Sequence, residues 1–374
     1  MVKRLNGKQD DKKARFGRKM TDILNYGALN LAMGIGYRSG LFEAMDGFDR
    51  PETAARIAEA AGLAKRYVKD WLGVMSCGGV VELSGNGSGE DLFFLPPEHG
   101  DFLAKRSGNN NLGVYTQEIP LLASCAMKPV LEGFRTGDGV EYEKYPEFQS
   151  FMSQLADAKH RQVLVNTFLP SVEKGRMVEK LREGIRVCDL GCAEGVALLL
   201  MAEAFPKSRF TGIDISGEVV KEARGAARKK SLANVEFFQL DAAQLEGNDT
   251  FNNTFDYVTA FDAIHDQTRP LEALKGVRSV LKPGGRFSMI DIAAESRLSA
   301  NMEHPMGTFL YTVSLMHCMP VGLVENGAGL GMMWGKQKAV EMLEEAGFED
   351  IRVLTVPEDS FNFHFFCKKP ETNS

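Results

Sequence analysis

Hydrophobic positions in the second half of the chain fall into two alternating kinds of segment. Short apolar runs have the length of buried strands, and between them lie longer segments whose apolar residues recur at helical spacing. This alternation predicts a doubly wound α/β sheet of seven strands, the last two forming a terminal antiparallel pair. The strands are predicted at 185–190, 209–214, 235–240, 255–261, 286–291, 351–356 and 361–367.

The first half of the chain has a mostly helical pattern. Apolar residues recur with a helical period from Met20, and helices are predicted over 54–61 and 65–75. Two short strands around a loop rich in Gly, Ser and Asn follow, and this order of elements predicts a winged helix. Residues 1–19 carry eight basic and two acidic side chains with almost no apolar ones, so we expect a disordered arm there.

The turn after the first strand of the predicted sheet has an unusual glycine spacing. A dinucleotide site needs Gly-x-Gly-x-x-Gly, whereas the turn here is Asp189-x-Gly191-x-x-x-Gly195, with Ala193 inside it. A carboxylate just before the first glycine repels a diphosphate but suits the zwitterionic tail of an amino acid beside a sulfonium. Asp214 ends the second strand, where it can accept both hydroxyls of a ribose.

The composition narrows the class of protein. The chain has 374 residues, of which 44% are apolar and 25% charged, as in a globular protein of two domains. No apolar run has the length of a membrane span, and a net charge of −6 gives no overall field that attracts nucleic acid. Its six cysteines lack any C-x-x-C pair, which favours reduced thiols in the cytoplasm and argues against a structural zinc site.

Two further stretches carry candidate chemistry. His265 and Asp266 follow the fourth strand; the histidine could remove a proton from an alcohol or phenol, and the aspartate could orient it or cap the next helix. Between the fifth strand and the last helix lies an insert rich in aromatic, Met, His and Gly residues, a composition typical of a substrate pocket. Its candidate pocket residues are Tyr311, Met316, His317 and Trp334.

The motifs of the α/β region resemble those of class I S-adenosylmethionine (SAM) methyltransferases. The glycine turn is similar to their first motif, and Asp214 to the acidic position that follows it. The Leu-Lys-Pro-Gly-Gly turn at 281–285 is a further recurring feature of that family. His265-Asp266 is similar to the His-Asp of plant-type small-molecule O-methyltransferases, with Gln267 in place of the Trp that usually follows.

The insert and the N-terminal helices make the resemblance closer. Arg66-Tyr67, Trp71-Leu72, 309–312, 316–319 and 329–335 together resemble a subfamily that carries an N-terminal winged helix. This subfamily is similar to an uncharacterised mycobacterial small-molecule methyltransferase. The resemblance implies a Rossmann-like catalytic domain that binds SAM and releases S-adenosylhomocysteine (SAH). It also implies a homodimer that acts on a small molecule, which we expect to be fairly apolar. The cysteines, the net charge, the spacing of candidate ligands and the lengths of the apolar runs predict separately a cytoplasmic protein without metal, nucleic-acid or membrane partners.

These expectations assign residues and domains. The cofactor residues are expected to be Asp189, Gly191, Cys192, Gly195, Asp214, Ile215, Asp241, Ala242 and Phe261. His265 is the expected general base, with Asp266 beside it, and the insert residues above line the acceptor pocket. The domains are a disordered arm over 1–19, a winged-helix and dimerisation domain over 20–110, a helical linker over 111–170 that contributes to the active site, and a methyltransferase domain over 171–374.

Three alternatives remain open from the sequence. An N- or S-methyltransferase would need no essential base, because an amine or thiol loses its proton more easily than an alcohol. An NAD-dependent oxidoreductase would use the same fold with a different glycine turn. A SAM-sensing transcriptional regulator would use the winged helix on DNA, although the hairpin after the second helix is acidic, with Glu82, Glu90 and Asp91.

Overall fold

A computed structural model describes residues 2–85 and 89–371, with side chains from residue 11 onward except that of residue 109. The chain divides into two compact units, the first ending at Leu121 and the second beginning at Leu122. No helix within these described ranges is long and apolar enough to cross a membrane.

The first unit contains the predicted winged helix. Its three-stranded antiparallel sheet has the order β1-β3-β2, and its core is built around the buried side chains of Phe42, Trp71 and Leu72. Thr53 caps the first helix of the motif by accepting a hydrogen bond from the Arg56 N–H, and Gly62 ends that helix with a left-handed φ of 66°. The elements are α1 (Val2–Arg38), α2 (Leu41–Asp46), β1 (Glu52–Thr53), α3 (Ala54–Ala61), α4 (Lys65–Cys77), β2 (Glu82–Gly85), β3 (Asp91–Phe94) and α5 (Pro97–Leu103).

The N-terminal arm differs from the prediction. Helix α1 begins at Val2, so residues 2–19, expected to be disordered, form its first half. Every side chain from residue 11 to residue 28 is exposed, and no packing within the first unit explains the helix there. The helix instead follows from intrinsic propensity, because Lys, Arg, Gln, Ala and Met favour helix without needing an apolar face. A search for apolar periodicity does not detect such a segment.

The second unit is an α/β domain with a seven-stranded sheet of order β6-β5-β4-β7-β8-β10-β9. The first five strands of this order are parallel, and β10 pairs antiparallel with both β8 and β9. This confirms the predicted seven-stranded sheet with its terminal antiparallel pair. The strands are β4 (Arg186–Leu190), β5 (Arg209–Asp214), β6 (Val235–Gln239), β7 (Phe255–Phe261), β8 (Leu281–Ile292), β9 (Glu349–Val356) and β10 (Asp359–Lys368).

Helices cover both faces of this sheet. Two apolar clusters hold the layers together, one containing Val258 and Leu343 and the other Val187 and Leu198. The helices after α5 are α6 (Glu118–Thr136), α7 (Pro146–Lys159), α8 (Leu169–Ser171), α9 (Arg176–Glu183), α10 (Val196–Ala204), α11 (Gly217–Lys229), α12 (Pro270–Val280), α13 (Gly307–Val313), α14 (Met319–Gly322) and α15 (Gly335–Glu345). Short 3₁₀ segments lie at Lys105–Asn110, Gly113–Gln117, Tyr142–Lys144, Val172–Gly175, Ala242–Gln244, Leu298–Asn301 and Val324–Asn326.

Two details of the second unit matter for the site. The winding reverses between the neighbouring strands β4 and β7, and ligands of such sheets bind at the carboxyl edge beside this reversal. Two π-helical segments occur, His160–Phe168 and Ser314–Cys318, and such segments are frequent at functional sites. Strand β8 begins at Leu281, earlier than predicted, because Leu281 pairs with Phe255 before a register shift to the pair of Tyr257 and Arg286.

Candidate active site

The glycine turn after β4 requires both of its glycines. Gly191 has a φ of 68°, and a Cβ there would lie 2.6 Å from the Cβ of Ala263. Its N–H donates to the carbonyl of Ile213 at 2.8 Å, which holds the turn against β5. Gly195 has a φ of 77° and immediately precedes α10, and a Cβ there would collide with the ring of Phe237. Positive φ and close approach together therefore exclude other residues from both positions.

Two carboxylates flank this turn. Asp189 is almost fully buried and accepts a hydrogen bond from the Thr259 hydroxyl at 2.6 Å. Burial raises the pKa of Asp189 to about 7, although the Thr259 hydrogen bond opposes the shift. Asp214 accepts the N–H of Ala193 at 3.0 Å on one oxygen and that of Ser216 at 2.9 Å on the other. These bonds set the orientation of Asp214, and burial raises its pKa as well.

The remaining cofactor candidates lie along the same edge or directly behind it. Asp241 caps the 3₁₀ turn that includes the buried Ala242, and it forms an ion pair with Arg269. Ile215 follows β5 with 67% of its surface exposed, and Cys192 is buried inside the turn. The ring of Phe261, at the end of β7, packs edge-on against other aromatic rings.

Residues of the linker, which we expected to contribute to the active site, reach this edge, although none of them was assigned a role from the sequence. The Ser153 hydroxyl donates to the Glu194 carboxylate at 2.7 Å. Burial raises the pKa of Tyr142, and the neighbouring charges of Asp266, Asp214 and Glu194 act in the same direction. The aromatic content of residues 142–151 was the only signal that could have pointed to them, and ordinary core packing explains such content equally well.

His265 is paired with a residue from the next strand. The side chain is 4% exposed, and its Nδ1 lies 2.9 Å from Oδ1 of Asp291. The same oxygen accepts the indole N–H of Trp334 at 3.1 Å and the Ile292 N–H at 2.8 Å. The orienting carboxylate is therefore Asp291 and not the adjacent Asp266. Strand β8 lies beside β7, so its carboxyl end brings Asp291 next to the residues that follow β7.

The electrostatics of the pair favour a charged imidazole. Burial lowers the pKa of His265, but the charge of Asp291 together with Cys318 outweighs this effect, and the net shift is well above the usual value. The second oxygen of Asp291 is buried and has no hydrogen-bond partner among the described residues.

Trp334, which was expected in the acceptor pocket, is 6% exposed, and its indole N–H donates its hydrogen bond to Asp291.

His317 lies in an aromatic environment close to this pair. Its ring centroid is 4.7 Å from those of Tyr145 and Phe148 and 6.0 Å from that of Tyr142. Its Nδ1 is 3.5 Å from the sulfur of Cys318, and its Nε2 is buried with no hydrogen-bond partner among the described residues. Burial lowers the pKa of His317 to about 3, so the ring is neutral at physiological pH.

The other insert candidates have mainly packing roles. The Tyr311 hydroxyl accepts a hydrogen bond from Asn301 at 3.1 Å. Met316 is buried, and its carbonyl accepts the Tyr145 hydroxyl at 2.9 Å. Within residues 2–85 and 89–371, no group of three or more His, Cys, Asp or Glu residues could hold a metal ion.

Comparisons with known proteins agree with this architecture. Residues 181–347 match the model of a methyltransferase domain, and residues 27–105 match that of an Rv2258c-like winged HTH domain. A demethylmenaquinone methyltransferase of Listeria welshimeri is 27% identical over 203 residues, covering 51% of this chain and 82% of that protein. One of Staphylococcus aureus is 28% identical over 184 residues, covering 46% of this chain and 71% of that protein.

Solved structures resemble the chain over nearly its whole length. Human N-acetylserotonin methyltransferase in complex with SAM has a TM-score of 0.61 at 16% identity and covers 94% of this chain and 97% of its own. The mitomycin 7-O-methyltransferase MmcR has a TM-score of 0.63 at 17% identity, with coverages of 95% and 98%. At these identities the likeness establishes the fold. The chain therefore combines an Rv2258c-like winged helix-turn-helix domain with a methyltransferase domain of the class I fold.

Proposed function

We propose that the protein transfers a methyl group from SAM to a hydroxyl of a small molecule. The observation that supports this most directly is the carboxyl edge of β4 and β5, where two glycines of positive φ and the carboxylates Asp189 and Asp214 surround the start of α10. Structural relatives of the same fold were solved with SAM and, in the case of PigF, with SAH, which supports the choice of cofactor.

The residues of this edge fit the cofactor in charge and in shape. SAM supplies a methyl group on a positively charged sulfonium. A cation beside Asp189 favours the ionised form of a carboxyl whose pKa lies near 7. Each oxygen of Asp214 accepts one backbone N–H and keeps a lone pair for a ribose hydroxyl. Asp241, Ile215 and Phe261 supply polar and apolar surface for the adenosine.

A hydroxyl acceptor also needs its proton removed, and His265 is the base of this proposal. Asp291 holds its ring and raises its pKa, which strengthens the base once it is unprotonated. Transfer to N or S would depend on this pair much less, because those acceptors lose their protons more easily. The names of MmcR and other structural relatives, which refer to O-methylation, favour oxygen.

Binding of SAH to the purified full-length protein tests the cofactor site. Asp214→Asn removes the charge beside the ribose, and we expect the affinity to fall about tenfold to a hundredfold in calorimetric titration, equivalent to about 1.5–3 kcal/mol. Asp350→Asn is the matched control, because Asp350 is exposed on β9 and forms an ion pair with Lys368. Failure of the wild-type protein to bind SAH would contradict the proposal.

Transfer of labelled methyl from SAM into a host metabolite extract tests the reaction. Label in a small molecule that disappears with His265→Ala supports base-assisted O-methylation. Label that is unchanged in the variant favours an amine or thiol acceptor. Bound SAH without any transferred label would favour the sensor alternative.

The proposal includes a cytoplasmic homodimer. Helix α1 exposes a one-sided apolar stripe formed by Phe16, Met20, Leu24, Leu31 and Ile35, with exposures of 61%, 40%, 70%, 51% and 56%. A stripe of this kind on a long helix is typical of a surface buried by a second copy around a two-fold axis. All six cysteines are free thiols, which fits a reducing compartment.

A further inference from the structure

A buried ring nitrogen of His317 has no hydrogen-bond partner. His317 lies in the π-helical segment Ser314–Cys318 and is 8% exposed. Its Nδ1 is 3.5 Å from the sulfur of Cys318, whereas its Nε2 is buried without a partner among the described residues. Buried polar atoms of folded proteins are nearly always paired, because leaving one unpaired is unfavourable. Nε2 of His317 is therefore suited to pair with a group from outside the protein.

The surroundings of this nitrogen favour a ligand over a water molecule. A buried water usually forms about three hydrogen bonds, so it needs several polar partners. Around the imidazole lie aromatic rings instead, those of Tyr145 and Phe148 with centroids 4.7 Å away and that of Tyr142 at 6.0 Å. The Tyr145 hydroxyl already donates to the carbonyl of Met316 at 2.9 Å. A molecule that brings one polar group on an apolar frame matches this environment better than water does.

Tyr142 is the side from which such a molecule reaches His317. The other two rings are almost completely buried, whereas Tyr142 is 43% exposed and lies in a short 3₁₀ segment. Burial raises the pKa of Tyr142, and the charges of Asp266 and Asp214 raise it further, because the hydroxyl is near the edge that holds the proposed cofactor site. A ligand that displaces this ring therefore enters between the cofactor edge and the imidazole.

The charges around the site favour an uncharged ligand. Burial lowers the pKa of His317 to about 3, so its ring is neutral at physiological pH and does not attract an anion. The carboxylates of Asp214 and Asp291, at the carboxyl ends of β5 and β8, disfavour an anion as well. The positive sulfonium of the proposed cofactor disfavours a cation beside it. An imidazole of such low pKa is also too weak a base to deprotonate a hydroxyl, so its role is binding.

We propose that His317 is a specificity-determining residue that anchors the methyl acceptor through Nε2. The proposal rests on the proposed methyl transfer to a hydroxyl, for which His265 is the base. The acceptor is an uncharged molecule whose planar apolar frame packs against the aromatic rings around His317. It has a second polar group, apart from the hydroxyl that is methylated, and this group pairs with Nε2.

Naphthalene derivatives test the anchor without knowledge of the natural acceptor. The probe 2-naphthol is an uncharged planar ring system with one hydroxyl, and naphthalene lacks that hydroxyl. In 2-naphthoate and 2-naphthylmethylammonium, a negative and a positive group take its place. Each probe is titrated into the full-length protein with and without SAH, and binding is followed by fluorescence. We expect 2-naphthol to bind about tenfold more tightly than naphthalene, and both charged probes to bind more weakly than 2-naphthol.

Two variants of His317 separate its hydrogen bond from its packing. His317→Phe keeps a planar ring but removes the nitrogen, so 2-naphthol should lose its advantage over naphthalene. His317→Gln places an amide near the position of Nε2 and should restore much of that advantage. Thr308→Val is the control, because Thr308 is an exposed polar residue of the same insert, and this variant should leave the preference unchanged.

Two further readouts report on the nitrogen itself. In full-length protein with ¹⁵N-labelled histidine, the Nε2 signal of His317 is identified by its loss in His317→Phe. It should shift when 2-naphthol binds and shift much less when naphthalene binds. In thermal unfolding without ligand, His317→Phe should be at least as stable as the wild type, because an unpaired buried nitrogen has been removed. Loss of binding without loss of stability would identify a residue retained for function.

Several results would overturn the anchor. They are equal binding of 2-naphthol and naphthalene by the wild type, no binding of 2-naphthol at millimolar concentration, and a preference that persists in His317→Phe. Tighter binding of a charged probe would overturn the uncharged class of acceptor. A large loss of stability in both His317 variants would show that the nitrogen is paired within the protein.

Calorimetry with SAH on the same samples tests the proposed function separately. SAH binding without a preference for 2-naphthol contradicts only the anchor. A preference that depends on His317 in a protein that does not bind SAH contradicts the proposed methyl transfer. The two failures are therefore distinguishable.

Discussion

Asp291→Asn tests the buried ion pair between Asp291 and His265. Asn keeps an oxygen for the three hydrogen bonds from His265, Trp334 and Ile292 but removes the charge. Breaking a buried ion pair on one side lowers the free energy of unfolding by about 3–5 kcal/mol. Because Asn conserves the shape and the hydrogen bonds, we expect the lower end of this range, about 3 kcal/mol, at pH values where His265 is charged in both states.

The pH dependence of this loss of stability shows whether it comes from the charge of Asp291 or from the shape of its side chain. The folded pKa of His265 is raised above its unfolded value, so the stability contributed by the pair is fully present below about 6.5 and is lost as the pH rises through the folded pKa. The difference between wild type and Asp291→Asn should therefore be largest at pH 6 and shrink steadily towards pH 10.

Urea unfolding of both proteins across this range measures the difference directly. Asp350→Asn is the control, since it removes an exposed carboxylate that pairs with Lys368 and should change stability little at any pH. In methyl transfer, the rising limb of the pH profile should move to lower pH in Asp291→Asn, because the pKa of His265 falls with the loss of its partner. A stability difference that is constant with pH, or that grows as the pH rises, would refute the reasoning.

Three further predictions follow from the geometry. Gly195→Ala should weaken SAH binding and destabilise the protein by about 1–3 kcal/mol in thermal unfolding, because the residue has positive φ and faces the Phe237 ring. Gly225→Ala on α11 should be neutral or slightly stabilising in the same assay, because a Cβ there meets only the flexible end of Arg228 at 3.9 Å. Leu24→Arg should convert a dimer to a monomer in sedimentation velocity with SAH binding retained, and an unchanged sedimentation coefficient would disprove the role of α1. No retention of DNA is expected in mobility-shift assays at physiological salt, and salt-resistant retention would favour the regulator alternative.

The pattern of apolar residues was sufficient to predict the architecture. Short apolar runs that alternate with segments of helical apolar spacing predict a doubly wound sheet, because each strand and helix must bury its own apolar face. That face can be recognised from the sequence of the element alone. The glycine turn was equally readable, since positive φ at Gly191 and Gly195 restricts the residue type whatever surrounds it. The N-terminal arm was predicted wrongly because helix propensity needs no apolar face, and periodicity was the only signal used.

The partners of His265 were decided only by the tertiary structure. Asp291 lies 26 positions further along the chain, and only the pairing of β8 with β7 brings it to the imidazole. Cys318 and His317 come from an insert whose path the sequence pattern does not specify, and Tyr145 and Phe148 come from the linker. A sequence determines local conformation and burial through nearest neighbours, whereas hydrogen bonds between distant residues depend on strand order and packing. The fold and the cofactor turn could therefore be predicted from the sequence, and the pairing of His265 with Asp291 required the structure.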